Sequence, residues 1–187
     1  LTGNLIRYIF ELSFWALNEA IEMTKSIRIN PLLKKILIWW NRLFFKPGDF
    51  SFAEKMKGAK NVLICLPARP ESFALAKDHL AVFADVFQNK KIFVFLPFAK
   101  AESFLSHLKR YVVIFPQKED VRIFSLPRRN FIQRIRGYRF EIALDLDLED
   151  GFFNSYLCLK SGACVRIGLK GKIGPPFYNL QLALSKE

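Results

Sequence analysis

The sequence predicts an α/β protein built on a doubly wound, mostly parallel sheet, and three observations predict it. Residues 61 to 66, 91 to 96 and 111 to 115 are β-branched and aromatic runs too short to be helices. The spacers between them, residues 70 to 87 and 100 to 110, have helical periodicity and the length of crossovers. Residues 140 to 169, FEIALDLDLEDGFFNSYLCLKSGACVRIGL, read as one strand-helix-strand unit whose first strand ends in acids. In a parallel sheet the functional edge lies where strands stop, so Asp145, Asp147, Glu149 and Asp150 are expected on the crevice side.

The elements follow in order. Residues 4 to 25 read as a helix with a polar stripe of Asn4, Arg7, Glu11, Asn18, Glu22 and Lys25 only about 60° wide. The rest of its circumference, Trp15 included, is apolar, so this helix needs cover on more than one side. Asn30 and Pro31 break it and start a second helix over residues 31 to 46. There Lys34, Lys35, Asn41, Arg42 and Lys46 group on one side, and Leu32, Leu33, Ile36, Leu37, Trp39, Trp40, Leu43 and Phe44 fill the other. From Lys25 to Lys46 inclusive stand six cations and no acid. Paired tryptophans beside lysines suit a helix lying on an anionic membrane. The same pattern also suits a helical hairpin packed on the domain or on a partner subunit, with Arg7, Trp15, Lys34, Lys35, Trp39, Trp40 and Arg42 as docking residues.

Lys46, Pro47, Gly48 and Asp49 open a linker over residues 47 to 59, and a compact domain is expected over residues 60 to 187. Within it residues 61 to 66 are a strand, and residues 70 to 87 one helix with Phe73, Leu80, Phe83 and Phe87 inward. Residues 91 to 96 are a strand, 100 to 110 a helix, 111 to 115 a strand, 121 to 124 a short strand and 128 to 137 a basic helix. Residues 177 to 184, FYNLQLAL, read as an edge strand or a domain exit.

Composition narrows the partners. The chain has 187 residues, half of them apolar, which suffices for one well-cored domain. Its formal charge of +12 and pI near 9.8 favour nucleotide phosphates, acidic lipid head groups or nucleic acid. Cys65, Cys158 and Cys164 fall in apolar patterns without a Cys-x-x-Cys pair and read as reduced, buried thiols of a cytoplasmic protein. His79 and His107 have no ligand partner at metal spacing, so no metal or cofactor is expected. No window reaches the ~18 apolar residues of a membrane span. No basic leader with an apolar run and cleavage site stands at the start, and the chain opens on Leu1 rather than Met, which leaves room for residues before it.

Three constellations offer chemistry. Alternation along the acidic strand end puts Asp145 and Asp147 on one side, where two carboxylates can bind a metal, act as base or contact sugar hydroxyls. The bland reading is a fraying strand, with Asp150 capping the following helix. The loop at residues 67 to 72 lacks the glycines of a phosphate cradle; Arg69 can still meet an anion and Glu71 act as a base. Pro70 and Glu71 are equally explained as an ordinary first helical turn. The basic run Arg122, Arg128, Arg129, Arg134, Arg136 and Arg139 comes without a nucleic-acid reader motif and reads as solvated helix charge.

The unit over residues 140 to 169 resembles the family-nine glycosyltransferases, the ADP-heptose:lipopolysaccharide heptosyltransferase group. The resemblance rests on the strand carrying Asp145, Leu146 and Asp147, on the Leu159-Lys160-Ser161-Gly162-Ala163 turn, and on Arg166-Ile167-Gly168-Leu169. Weaker similarity runs back to Asn61, and the N-terminal helices lie outside it. It implies a Rossmann-like, acceptor-binding half of a GT-B fold, with Arg69, Asp145 and Asp147 on the acceptor and Glu71 as base. A nucleotide sugar would bind only if a donor domain were supplied, and this chain looks like the first half. The family's Gly-Asp pair after the first strand, whose carboxylate deprotonates the acceptor, is replaced here by Ala68-Arg69-Pro70-Glu71. The expectation is therefore a membrane-peripheral domain on the cytoplasmic face, not catalytic by itself. The alternative is a degenerate docking subunit of a larger assembly.

Overall fold

A computed structural model describes residues 29–45, 51–97, 110–122, 126–149, 151–169, 171 and 173–183. The expected helices over residues 4 to 25 and 100 to 110, and with them Arg7, Trp15, His107 and Asp150, lie wholly or mostly outside these residues.

Six strands form one sheet: β1 (Asn61–Cys65), β2 (Lys91–Phe95), β3 (Tyr111–Ile114), β4 (Ile142–Asp145), β5 (Val165–Leu169) and β6 (Leu180–Leu182). Their order is β3-β2-β1-β4-β5-β6, and every neighbouring pair is parallel. This is a Rossmann-like α/β sheet, in which the chain builds outward from β1 in one direction and then returns to build from β4 in the other.

Side-chain alternation divides the core into two layers. Val62, Ile64, Ile92, Val94, Ile142 and Leu144 face one side, beneath α3 (Pro70–Asp78) and α4 (Leu80–Val86). Leu63, Cys65, Phe93, Phe95 and Ala143 face the other, beneath α5 (Arg129–Gly137) and α6 (Phe152–Lys160). Phe95 stacks on Phe153 of α6, ring centroids 5.7 Å apart, and meets Phe131 of α5 at 6.1 Å. Helix α6 is buried on several faces because the sheet lies on one side of it and the chain around Phe177 on another.

Several boundaries differ from expectation for physical reasons. The helix expected over residues 70 to 87 is two helices. At the break the His79 ring, 2.9 Å from the Leu75 carbonyl, occupies the acceptor that the next turn's backbone would use. The stretch expected as a linker contains α2 (Phe52–Gly58), whose Met56 packs on the first core layer. The expected strand over residues 121 to 124 reduces, among the described residues, to one antiparallel bridge between Val121 and Pro127. The FYNLQLAL tail supplies β6 as a parallel edge strand.

Helix α1 (Pro31–Leu43) begins at Asn30, whose side chain accepts from the Leu32 N–H at 2.9 Å. Its contacts with the domain are mixed rather than apolar. Leu37 and Ile38 pack on the second layer, Lys160 Nζ donates to Asn41 Oδ1 at 3.1 Å, and Arg42 Nε donates to the Pro175 carbonyl at 3.4 Å. Leu32, Ile36, Trp39, Trp40, Leu43 and Phe44 point outward, each more than half exposed.

Candidate functional site

The winding direction reverses between β1 and β4, so the loops leaving these two strands flank the position where doubly wound sheets bind ligands. The strands lie in register, Cys65 beside Asp145. Arg69 from the first loop and Glu149 from the second meet as an ion pair, Nε to Oε2 2.6 Å, across this position. The anion expected for Arg69 is, in this structure, the chain's own Glu149. Glu71 is exposed in the first turn of α3, where the helix dipole favours a carboxylate.

The acidic strand end departs from simple alternation. The strand stops at Asp145, because that carboxylate accepts the Asp147 N–H at 3.0 Å and the Asp147 carboxylate in turn accepts the Glu149 N–H at 3.0 Å. These are two successive Asx turns, each side chain capturing the backbone two residues on. Asp147 also sits over the start of α6, so closely that a Cβ on Gly151 would overlap its carboxylate. The N-cap of α6 is Gly151 itself, without a side-chain cap bond.

Asp145 has no exposed surface. Its Oδ2 accepts from the Tyr178 hydroxyl, and its Oδ1 lies 3.4 Å from Asn154 Nδ2, which also donates to the Leu66 carbonyl at 3.0 Å. The Tyr178 hydroxyl is also 2.6 Å from Ser155 Oγ. A phenol has one proton; given to the carboxylate, it leaves the serine as donor to the phenol oxygen. Burial, and after it the Asp145 charge, pushes the Tyr178 pKa far above the ordinary phenol range. Among the described residues every buried side-chain nitrogen and oxygen has a partner. Asp145 and Asp147, expected to contact acceptor hydroxyls, are enclosed here and hold β4, α6 and the C-terminal segment together.

The turn and second strand of this unit have equally structural tasks. Ser161 Oγ donates to the Cys158 carbonyl at 2.8 Å and accepts from Ala163 N–H at 3.2 Å, while Gly162 takes φ 87°, which glycine adopts without strain. The Arg166 guanidinium donates to the backbone carbonyls of Ala163, Pro176 and Phe177 at 2.7 to 3.2 Å. Asn179 binds the Arg166 N–H at 2.8 Å through Oδ1 and the Cys164 carbonyl at 2.7 Å through Nδ2. Gly168 lies directly under the Tyr178 ring; a Cβ there would be 2.6 Å from it.

Tyr178, Asn154 and Ser155 were not singled out by sequence reasoning. The signal available was chemical: an Asn-Ser pair inside the apolar run FFNSYLCL needs buried partners, and an isolated Phe-Tyr-Asn near the C-terminus can supply them. Of the docking residues, Trp39, Trp40, Lys35 and Arg42 lie exposed on α1, and Lys34 is half-buried. Arg134 of the basic run is paired with Asp120 at 2.6 Å, and Arg136 Nε donates to the Lys160 carbonyl at 2.8 Å.

Fold and crevice together define an α/β protein with a Rossmann-like sheet whose crevice acids are used as structural ties. Comparison of the chain with family models, with curated proteins and with solved structures finds no match in any of the three.

Proposed function

We propose that this chain is a glycosyltransferase-like, heptosyltransferase-type N-terminal domain, the acceptor-side half of a GT-B fold, peripheral on the cytoplasmic face of a membrane and not catalytic by itself. The observation that carries the membrane part is the outward apolar face of α1, where Leu32, Ile36, Trp39 and Leu43 are 58 to 70% exposed. Each such side chain transferred out of water contributes about 2 kcal/mol. Lys35 and Arg42, also exposed, add attraction to anionic head groups. No described helix is long and apolar enough to cross a membrane, so the expected mode is lying on the surface.

The glycosyltransferase part rests on the motif over residues 140 to 169 together with the sheet order. Lack of autonomous catalysis is supported by the first loop, which has no Gly-Asp pair, and by the enclosure of Asp145 and Asp147. That enclosure also favours a second reading, a degenerate docking subunit of a larger membrane-associated assembly. In either case scaffold and activity are separate questions.

Flotation of the full chain with anionic vesicles tests the membrane reading. The chain is expected to rise with the vesicles, and an L32S/I36S/W39S variant to stay with free protein. A wild-type chain that remains at the bottom overturns it. Glu71→Ala is expected to leave both folding and flotation unchanged, and to matter only to sugar transfer with a donor domain present.

A further inference from the structure

The outer surface of α5 and α6 carries two adjoining concavities. One, about 290 Å³, is basic, with Arg122, Arg129, Arg136 and Lys160 around its rim. The other, about 600 Å³, is largely apolar, formed by Trp40, Phe44 and Phe45 at the end of α1 facing Leu159 and Pro176. Tyr156 and Lys160 line both, so the two adjoin, and the Lys160 ammonium sits 5.3 Å above the Tyr156 ring between them.

Among the described residues none of the four cations has a carboxylate partner. Their fields converge. Burial raises the Tyr156 pKa against the opposing charges of Arg122 and Arg136, and burial followed by the Arg136 charge lowers that of Lys160. Four like charges gathered around one hollow repel one another, and an anion placed among them relieves that repulsion.

We propose that this double concavity is a binding site for one anionic phospholipid, with its head-group phosphate among the four cations and an acyl chain along the apolar groove. A free anion would use the basic hollow and leave the groove empty, whereas a neutral apolar ligand would leave the cations unneutralised. An amphiphile with a phosphate at one end satisfies both. The inference rests on the peripheral-membrane reading for the source of the lipid, while the site itself stands on the contiguity of charge and groove. It lies on the outer surface of α5 and α6, apart from the loops that follow β1 and β4.

The test uses the full chain with phosphatidylcholine vesicles, the same vesicles containing phosphatidylglycerol, monomeric short-chain phosphatidylglycerol, and inorganic phosphate. Binding of the short-chain lipid is expected, with much weaker binding of phosphate. On vesicles, R122Q/R129Q is expected to lose about fivefold per cation removed. K55Q/K57Q, which removes the same charge from α2, is expected to lose much less. W40A/F44A, at two exposed positions, is expected to weaken the short-chain lipid and leave phosphate unchanged. Absence of short-chain lipid binding overturns the proposal, as does equal weakening by the α2 control. Lipid binding indifferent to W40A/F44A, or phosphate binding as tight as the lipid, assigns the hollow to a free anion and overturns it too. Short-chain binding without vesicle flotation sinks the membrane reading alone.

Discussion

Removing one oxygen tests how the C-terminal segment is held. Tyr178→Phe keeps the ring that covers Gly168 and deletes the hydroxyl that donates to Asp145 and lies 2.6 Å from Ser155 Oγ. All three residues are buried, so water does not simply replace the lost donor. Leaving a buried carboxylate short of a donor costs more than losing a neutral bond, and about 2 to 3 kcal/mol is expected. At this chain length that lowers the thermal midpoint by roughly 5 to 10 °C. Ser155→Ala, which removes a neutral partner from the same hydroxyl, is expected to cost about 1 kcal/mol. The assay is urea unfolding followed by far-ultraviolet circular dichroism, because Trp39 and Trp40 are exposed on α1 and report poorly on the core. The slope with urea should be unchanged while the midpoint falls. The same variant carries a pH signature. The folded phenol has a raised pKa, so its contribution is fully present below the unfolded value near 10 and is lost as pH rises beyond it. Wild type should therefore lose stability above about pH 10 more steeply than Y178F. A variant that unfolds at the wild-type urea concentration, with the same alkaline slope, would refute the account of Asp145.

Two further substitutions separate rigid from tolerant positions. Gly168→Ala places a Cβ 2.6 to 2.8 Å from three ring carbons of a fully buried tyrosine, and a loss of about 2 to 3 kcal/mol is expected in urea unfolding. An unchanged midpoint would mean that the ring does not lie on the strand. Arg69→Ala removes an ion pair whose side chains are 58% and 34% exposed, and the same measurement should show less than about 1 kcal/mol, shrinking in high salt. A larger, salt-independent loss would show that the pair holds the crevice loops in place.

The sheet was legible because its central strands are buried on both faces: after their polar first residues, NVLIC and KIFVF are continuous apolar runs that leave little choice of period. Their five-residue length and the crossover spacers made parallel pairing the reading of choice. The acidic strand end was only half legible. LDLDLED alternates like a strand, yet the two aspartates capture backbone N–H groups and end the strand at Asp145. A turn made by side chains leaves the same letters as an alternating strand, so periodicity alone misplaces Asp147. The break at His79 was invisible for a similar reason, since neither proline nor glycine marks it and a ring bond to Leu75 does the work. The linker concealed a helix because seven residues, FAEKMKG, show too few turns for a period to emerge. On α1 charge did not divide the faces: Leu37 and Ile38 pack on the domain beside Asn41, Lys35 is exposed with Trp39 and Trp40, and the orientation depends on Asn41 and Arg42 finding partners more than a hundred residues away.

That Tyr178 follows its buried partners in sequence has a consequence for birth on the ribosome. The central strands already wait for distant sequence, since Asn61 at the start of β1 binds Glu141, 80 residues later. Asp145, Asn154 and Ser155 then emerge before the hydroxyl that completes their network, 33 and 23 residues ahead of it for Asp145 and Ser155. A nascent chain that has not yet reached Phe177 and Tyr178 thus has a polar cluster that burial would penalise, and its α6 has no Phe177 beside it. Emergence of Tyr178 from the exit tunnel therefore acts as a checkpoint for this sheet: until it arrives, the cluster around Asp145 cannot be sealed.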